Sequence, residues 1–369
     1  MRVLTVIGNR PQFVKAAAVS RRLRSEHEEV LVHTGQHYDD ELSGVFVREL
    51  GVPVPEHELG LGGGSNSEQT ARMLAALGEL VDDLAPDAVM VYGDTNSTLA
   101  GALAGAQAGR LVVHVEAGMR SFDRRMPEEL NRVLSDHVSD LLLCSSPTAV
   151  ANLEREHVGG RIVLVGDVMN DVALLMAPRV RARTGILERH GLDPGDYLLA
   201  TAHRAGNVDA PERLRALVGL LGGLGEPVVW ALHPRTRDRL LAADLLDRLA
   251  ATPGMVVLGP LGYLDFTALL VHARAVLTDS GGVQKEAYLA GVPCLTMRDT
   301  TEWVETVSTH WNTLVDLDAQ AAVAALQRPR PTDHPPLYGD GRAGERVVEA
   351  FGELTPARRG PSPPMGAGR

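Results

Sequence analysis

Short runs of β-branched and other apolar residues alternate along this chain with longer stretches whose apolar positions recur every three or four residues. The short runs are Arg2–Ile7, Glu29–His33, Ala88–Tyr92, Leu111–Val115, Asp140–Cys144 and Arg161–Val165, followed by Tyr197–Thr201, Pro227–Leu232, Met255–Leu258, Ala275–Thr278, Pro293–Met297 and Thr313–Val315. Such alternation predicts α/β architecture: parallel strands with helices on both faces of the sheet. Twelve strands would make an unusually wide open sheet. The pattern therefore predicts two doubly wound sheets of about six strands each, divided near residues 168–190. The expected domains are 1–170 and 171–352, each Rossmann-like, with a last helix over Ala343–Phe351 able to pack back on the first domain. Arg328–Pro336 is proline-rich and reads as an extended connection. Residues 353–369, rich in Pro, Gly, Arg and Ala without apolar periodicity, read as a disordered tail.

Composition narrows the function. Of 369 residues, 44% are apolar and 22% charged, as in globular proteins. Arg2 leads directly into a strand-like run, so no signal peptide is expected, and no apolar stretch reaches the roughly 20 residues that span a bilayer. A cytoplasmic protein is expected. The net charge of −11 argues against general nucleic-acid binding. An anionic ligand would then need local positive charge from arginines and helix N-termini. The two cysteines, Cys144 and Cys294, lie in apolar runs and read as buried thiols rather than a disulfide or a zinc site.

Open parallel sheets bind ligands beyond the carboxyl ends of their strands, so the residues after each strand carry the functional signal. Gly8-Asn9-Arg10-Pro11 follows the first run, Gly93-Asp94-Thr95 the third and Glu116-Ala117-Gly118 the fourth. In the second half the corresponding residues are His203-Arg204, His233-Pro234-Arg235 and Asp279-Ser280-Gly281-Gly282. Glycines at the start of the helix after Ser280 would let backbone amides approach a phosphate, and Glu286 in that helix could take ribose hydroxyls. An ordinary capped turn explains the same glycines. Arg10 before Pro11 suits phosphate neutralisation at a helix start, with Lys15 a weaker second cation. The turn after the first strand lacks the G-x-G-x-x-G pattern, which argues against a dinucleotide cofactor, and no G-x-x-x-x-G-K-[ST] appears.

Asp94 and Glu116 end two strands of one predicted sheet. Pro127 opens a helix on which Glu128, Asn131 and Arg132 share one face, with Glu129 directed elsewhere. Three carboxylates at one edge suit acid/base work. The plainer readings are a helix N-cap for Asp94 and dipole complementarity for Glu128. His114, inside a strand, reads as structural.

Taken together, Gly8-Asn9-Arg10-Pro11, Gly93-Asp94-Thr95, His114-Val115-Glu116-Ala117-Gly118, Pro127-Glu128-Glu129-x-Asn131-Arg132, His203-Arg204 and Asp279-Ser280-Gly281-Gly282-x-Gln284-x-Glu286 resemble the non-hydrolysing UDP-N-acetylglucosamine 2-epimerases. The resemblance runs from residue 1 to about 350. It implies a GT-B-type fold with UDP in an interdomain cleft, commonly a homodimer, and conversion of UDP-GlcNAc to UDP-ManNAc without metal or nicotinamide. It implies that Asp94, Glu116, Glu128 and His203 form the catalytic set. Arg10, His233, Ser280, Gly281, Gly282 and Glu286 would hold UDP, and Lys15, Arg132 and Arg204 join them as substrate-binding candidates. Gln36 and His37 match part of an effector site of some relatives, whereas Gly44 departs from it. Gly206 and Trp303 also depart from the better-known bacterial enzymes. With Trp303-Val304-Glu305-Thr306-Val307, the chain looks like a subgroup that includes enzymes of UDP-2,3-diacetamido-glucuronic acid. A hydrolysing epimerase, a GT-B glycosyltransferase and a catalytically silent UDP-sugar-binding protein are the rival readings.

Overall fold

All twelve apolar runs form strands in the computed structural model, which describes residues 1–36 and 53–354 and, at Arg10, the backbone alone. The chain divides into two compact units, Met1–Val172 with the segment from Tyr338 onward, and Ala173–Leu337. The tail expected over 353–369 lies outside the described residues from 355 on.

The first unit contains β1 (Arg2–Ile7), β2 (Glu28–His33), β3 (His57–Glu58), β4 (Ala88–Tyr92), β5 (Leu111–Ala117), β6 (Leu141–Cys144) and β7 (Arg161–Leu164). They pair in the order β3-β2-β1-β4-β5-β6-β7, every pair parallel. Only β3 was absent from the apolar pattern. Its two residues are too few to show a period and become a strand by pairing with Val32 and His33. The helices of this unit are α1 (Arg10–Glu26), α2 (Asn66–Leu84), α3 (Asn96–Gln107), α4 (Pro127–Val138), α5 (Pro147–Arg155) and the start of α6 (Val168–Arg181).

Local chemistry sets their starts. The Asn9 side chain accepts from the Gln12 amide, with Pro11 in the first turn of α1. Ser65 and Glu68 form a reciprocal capping box on α2. Helix α3 lies close on the sheet because Gly101 and Gly105 face Val91 and Val89, where added Cβ atoms would come within 2.9 Å of valine methyls. The core joins Leu4, Val6, Val89 and Val91 to Met73, Leu77 and Val81 of α2.

The second unit contains β8 (Leu198–Thr201), β9 (Val228–Ala231), β10 (Met255–Leu258), β11 (Ala275–Thr278), β12 (Cys294–Thr296) and β13 (Asn312–Leu314) in the order β10-β9-β8-β11-β12-β13, again all parallel. Its helices are the rest of α6, α7 (Gly185–Arg189), α8 (Ala205–Val208), α9 (Pro211–Gly222), α10 (Pro234–Ala242), α11 (Leu246–Ala250), α12 (Tyr263–His272), α13 (Gly281–Leu289), α14 (Val304–Ser308) and α15 (Ala319–Leu326). Trp230, Leu198, Leu277 and Leu295 centre its core. Both units thus have the doubly wound Rossmann order.

The last helix, α16 (Ala343–Gly352), belongs to the first unit. The Asp171 carboxylate accepts from the Ala343 and Gly344 amides at 3.0 and 2.7 Å, and Phe351 meets the His27 ring edge-on. Cys144 and Cys294 are both buried free thiols, which burial pushes up.

Gly118 follows β5 at φ +81°, and a Cβ there would stand 2.4 Å from the Ala149 carbonyl oxygen. Gly118→Ala is expected to cost about 2 kcal/mol or more and lower the melting temperature by about 4 °C or more, read by differential scanning fluorimetry.

Candidate active site

A sheet of this order reverses its winding between its first and fourth strands, and the crevice beyond the carboxyl ends opens there. In the first unit that point lies between β1 and β4, followed by Gly8-Asn9-Arg10 and Gly93-Asp94. In the second it lies between β8 and β11, followed by His203-Arg204 and Asp279-Ser280-Gly281. The topology itself thus brings most of the singled-out residues to the two ligand-binding edges.

Asp94 accepts from Arg132 Nε at 3.0 Å and Nη2 at 2.6 Å, a forked, charge-assisted pair. The helix that follows is capped by Thr95, whose side chain accepts from Thr98, so Asp94 is free of capping duty. Asn131 donates to the Asp94 carbonyl at 3.0 Å and ties α4 to the same turn. One expectation is corrected: Glu129 is not directed away from this network. It is buried and accepts from Arg132 at 2.8 Å, from the Ser121 amide and hydroxyl, and from the Phe122 amide at 2.8 Å. Residues 129 and 132 are i,i+3 neighbours, so Arg132 bridges Glu129 and Asp94. Helix α4 is turned inside out. Glu129, Asn131, Arg132, Ser135 and Asp136 are buried, while Leu130 and Leu134 are 46% and 48% exposed. Glu128, half-buried, sits at the start of this helix.

Glu116 forms an enclosed ion pair with Lys15. Its backbone is unusual: φ is +71°, and the β5–β6 register shifts between Val115 and Ala117, so Glu116 is the extra residue of a β-bulge. Bulges re-aim a side chain out of its ladder. Two residues earlier, His114 is fully buried, with Nδ1 2.7 Å from Asp136 Oδ1 and Nε2 2.7 Å from the Gly93 carbonyl. Asp136 also accepts from the Gly118 amide at 3.1 Å and from Arg120 at 2.7 Å. Burial alone would push the Asp136 carboxyl up; His114 and Arg120 overcome that and hold it below the usual carboxylate range. Asp136 was not singled out from the sequence. Its only signal was a charged residue seven positions after Glu129 on the polar face of α4.

In the second unit Asp279 plays a comparable part. Fully buried after β11, it accepts from the His203 amide at 3.0 Å, the Arg204 amide at 3.0 Å and the Asn207 side chain at 3.1 Å. It thereby shapes the turn after β8. The His203 ring, 3.8 Å from Asp279, stacks on His233 at 5.1 Å between centroids. His233 caps α10, accepting from the Arg235 amide. Helix α13 begins at Gly281 with no side-chain cap bond. A Cβ on Gly281 would stand 2.0 Å from the Glu302 carboxylate, so a side chain there would push that carboxylate aside. Gln284 accepts from Thr301 at 2.6 Å, and the Lys285 ammonium lies 4.4 Å from the Trp303 ring centre. Glu286 is half-buried in the same helix.

The Gln36 side chain accepts from the amide and hydroxyl of Ser97 in the first turn of α3, at 3.0 and 2.7 Å. His37 lies outside the described residues, as does the side chain of Arg10. Among the described residues no cluster of three or more His, Cys, Asp or Glu is placed to hold a metal ion, and no helix is long and apolar enough to cross a membrane.

The UDP-N-acetylglucosamine 2-epimerase family profile matches residues 21–352. A UDP-N-acetylglucosamine 2-epimerase homolog of Methanococcus maripaludis is 42% identical over 96% of this chain and 100% of its own length. The UDP-2,3-diacetamido-2,3-dideoxy-D-glucuronate 2-epimerase of Pseudomonas aeruginosa is 44% identical over the same shares, 96% and 100%. The crystal structure of Methanocaldococcus jannaschii UDP-GlcNAc 2-epimerase in complex with UDP-GlcNAc and UDP superimposes with a TM-score of 0.90 at 37% identity, covering 95% of this chain and 99% of that one. The fold class is therefore the GT-B-like one of these enzymes.

Removing the buried carboxylate that organises the β8 turn leaves the partly buried amides of His203 and Arg204 without their acceptor. Asp279→Ala is expected to destabilise the protein by about 2–4 kcal/mol, seen as a lowered melting temperature.

Proposed function

Because the chain belongs to the non-hydrolysing UDP-N-acetylglucosamine 2-epimerase family and is an isomerase, we propose that it inverts C2 of a UDP-linked 2-acetamido sugar by eliminating and re-adding UDP. UDP-GlcNAc and UDP-ManNAc are the proposed pair. The observation that supports the reading is that Asn131 and Arg132 of α4, the helix that begins with Glu128, bind Asp94, while Lys15 pairs with Glu116 at the end of the neighbouring strand.

The C2 proton is not adjacent to a carbonyl and is hard to remove directly. Breaking the C1–O bond first sends its electron pair to UDP and leaves an oxocarbenium-like centre. That centre acidifies C2–H and is stabilised by nearby carboxylates. A carboxylate takes the proton, the C1–C2 double bond forms, and the intermediate is a 2-acetamidoglucal. Protonation of C2 from the other face, with UDP re-adding at C1, gives the epimer. Asp94 and Glu128 are assigned to C2, and Glu116 supports the developing positive charge. His203, with Arg10 and the amides at the start of α13, stabilises the departing diphosphate. Ser280, Gly281, Gly282, His233 and Arg204 hold UDP, and Glu286 takes its ribose hydroxyls. In the second reading the sugar is UDP-2,3-diacetamido-glucuronic acid, favoured by the 44% identity to the P. aeruginosa enzyme.

Proton NMR of the purified protein in D2O tests both readings. With UDP-GlcNAc, deuterium is expected at C2 together with UDP-ManNAc and no free sugar. Exchange only with the diacetamido-uronate nucleotide would transfer the assignment to the second reading, and free ManNAc would overturn the non-hydrolytic mechanism. Asp94→Asn and Glu128→Gln are each expected to lower kcat about 100-fold or more, with UDP affinity by calorimetry almost unchanged.

A further inference from the structure

We propose that Asp136 is a positioning residue for this epimerisation: it clamps the bulge that aims Glu116 and, through His114, the turn that carries Asp94. The inference rests on the functional reading above.

The argument starts from the backbone of Glu116. A glutamate at φ +71° between two extended neighbours keeps that conformation only if its surroundings fix both flanks. Asp136 reaches both. On the near side its Oδ1 meets His114, two residues before the bulge; on the far side its Oδ2 accepts from the Gly118 amide, two residues after it. Arg120, just beyond, donates to the same Oδ2 and is itself held by Glu156 at 2.7 Å. One carboxylate thus spans the whole bulge.

The second arm runs to β4. The other nitrogen of His114 donates to the Gly93 carbonyl, while the Gly93 amide donates to the Val115 carbonyl at 3.0 Å. Gly93 is therefore tied to both residues immediately before Glu116. Asp94 is the next residue. The third arm is α4 itself. Asp136 fixes the rotation of this helix against β5, and the same helix carries Glu128, Asn131 and Arg132 four to eight residues earlier. A helix whose buried face is polar has little apolar packing to set that rotation, so directional bonds must set it.

The test is steady-state kinetics on Asp136→Asn and His114→Gln, with UDP affinity by calorimetry and a crystal structure of each variant. Asp136→Asn conserves volume and removes the charge. The expected result is a kcat about 100-fold lower with KM and UDP affinity within about threefold of wild type, as for a displaced acid/base group. The double variant should be no worse than about threefold below the weaker single, because both substitutions release the same turns. A folded Asp136→Asn enzyme with kcat within about threefold of wild type overturns the inference, and so does a loss confined to KM. If Asp136→Asn does not fold, His114→Gln decides by the same criteria. If the wild-type enzyme turns over neither UDP-sugar, the functional reading fails separately. The crystal structures then decide: displaced turns at Gly93 and Glu116 support the positioning role, and unmoved turns overturn it.

Discussion

A carboxylate shut away from water is tolerated only where donors and cations surround it, and the two sheet edges of this protein are built on that requirement. Asp136 gathers His114, Arg120 and the Gly118 amide. Asp279 gathers the amides of His203 and Arg204 and the side chain of Asn207. Glu129 gathers Arg132 with the amides of Ser121 and Phe122. The donors lie 72–76 residues away for Asp279, 16–22 for Asp136 and 3–8 for Glu129, and satisfying each carboxylate fixes the course of the loops that leave the strands. Loops at such edges have little apolar surface of their own, and directional bonds to a buried charge take the place of a core.

The same requirement separates anchoring carboxylates from those assigned to chemistry. The Asp136 side chain is completely enclosed, whereas Asp94 keeps 32% of its side chain open while Arg132 holds it in place. An acid/base group must exchange protons with a ligand and so cannot be sealed, yet it must not wander. Arg132 meets both needs for Asp94, with one fork on it and its remaining nitrogen on Glu129. Lys15, from α1, holds Glu116 in an enclosed ion pair across the switch point of the sheet. In the second unit, close approach does the corresponding work. Gly281 admits Glu302 against the first turn of α13, and the stacked His203 and His233 rings lie beside that edge.

The chain shares more than 40% identity over nearly its full length with relatives named for two different sugars. Those sugars differ at C3 and C6, away from the carbon that a 2-epimerase inverts, so the choice between them falls to groups away from that carbon. Beside the start of α13, Lys285 lies over the Trp303 ring and Arg298 pairs with Glu302.

By itself the sequence determined the two parallel sheets, because buried parallel strands read as short continuous apolar runs and here they alternate with longer helical stretches. It also placed the candidate residues at the strand ends, since Glu116 and Asp279 directly follow such runs and Asp94 and His203 come one residue later. The two-residue β3 left no signal, for its pairing comes from neighbours rather than from a period. Helix α4 was legible as a helix but not in its orientation, because periodicity would bury Leu130 and Leu134 and the structure buries Glu129, Arg132 and Asp136 instead. Only the tertiary structure decided that, and with it the φ of Glu116 and the role of Asp136. Asp136 gains its partners from β5 and the segment just after it, and nothing in its immediate sequence records which partners folding will bring to it.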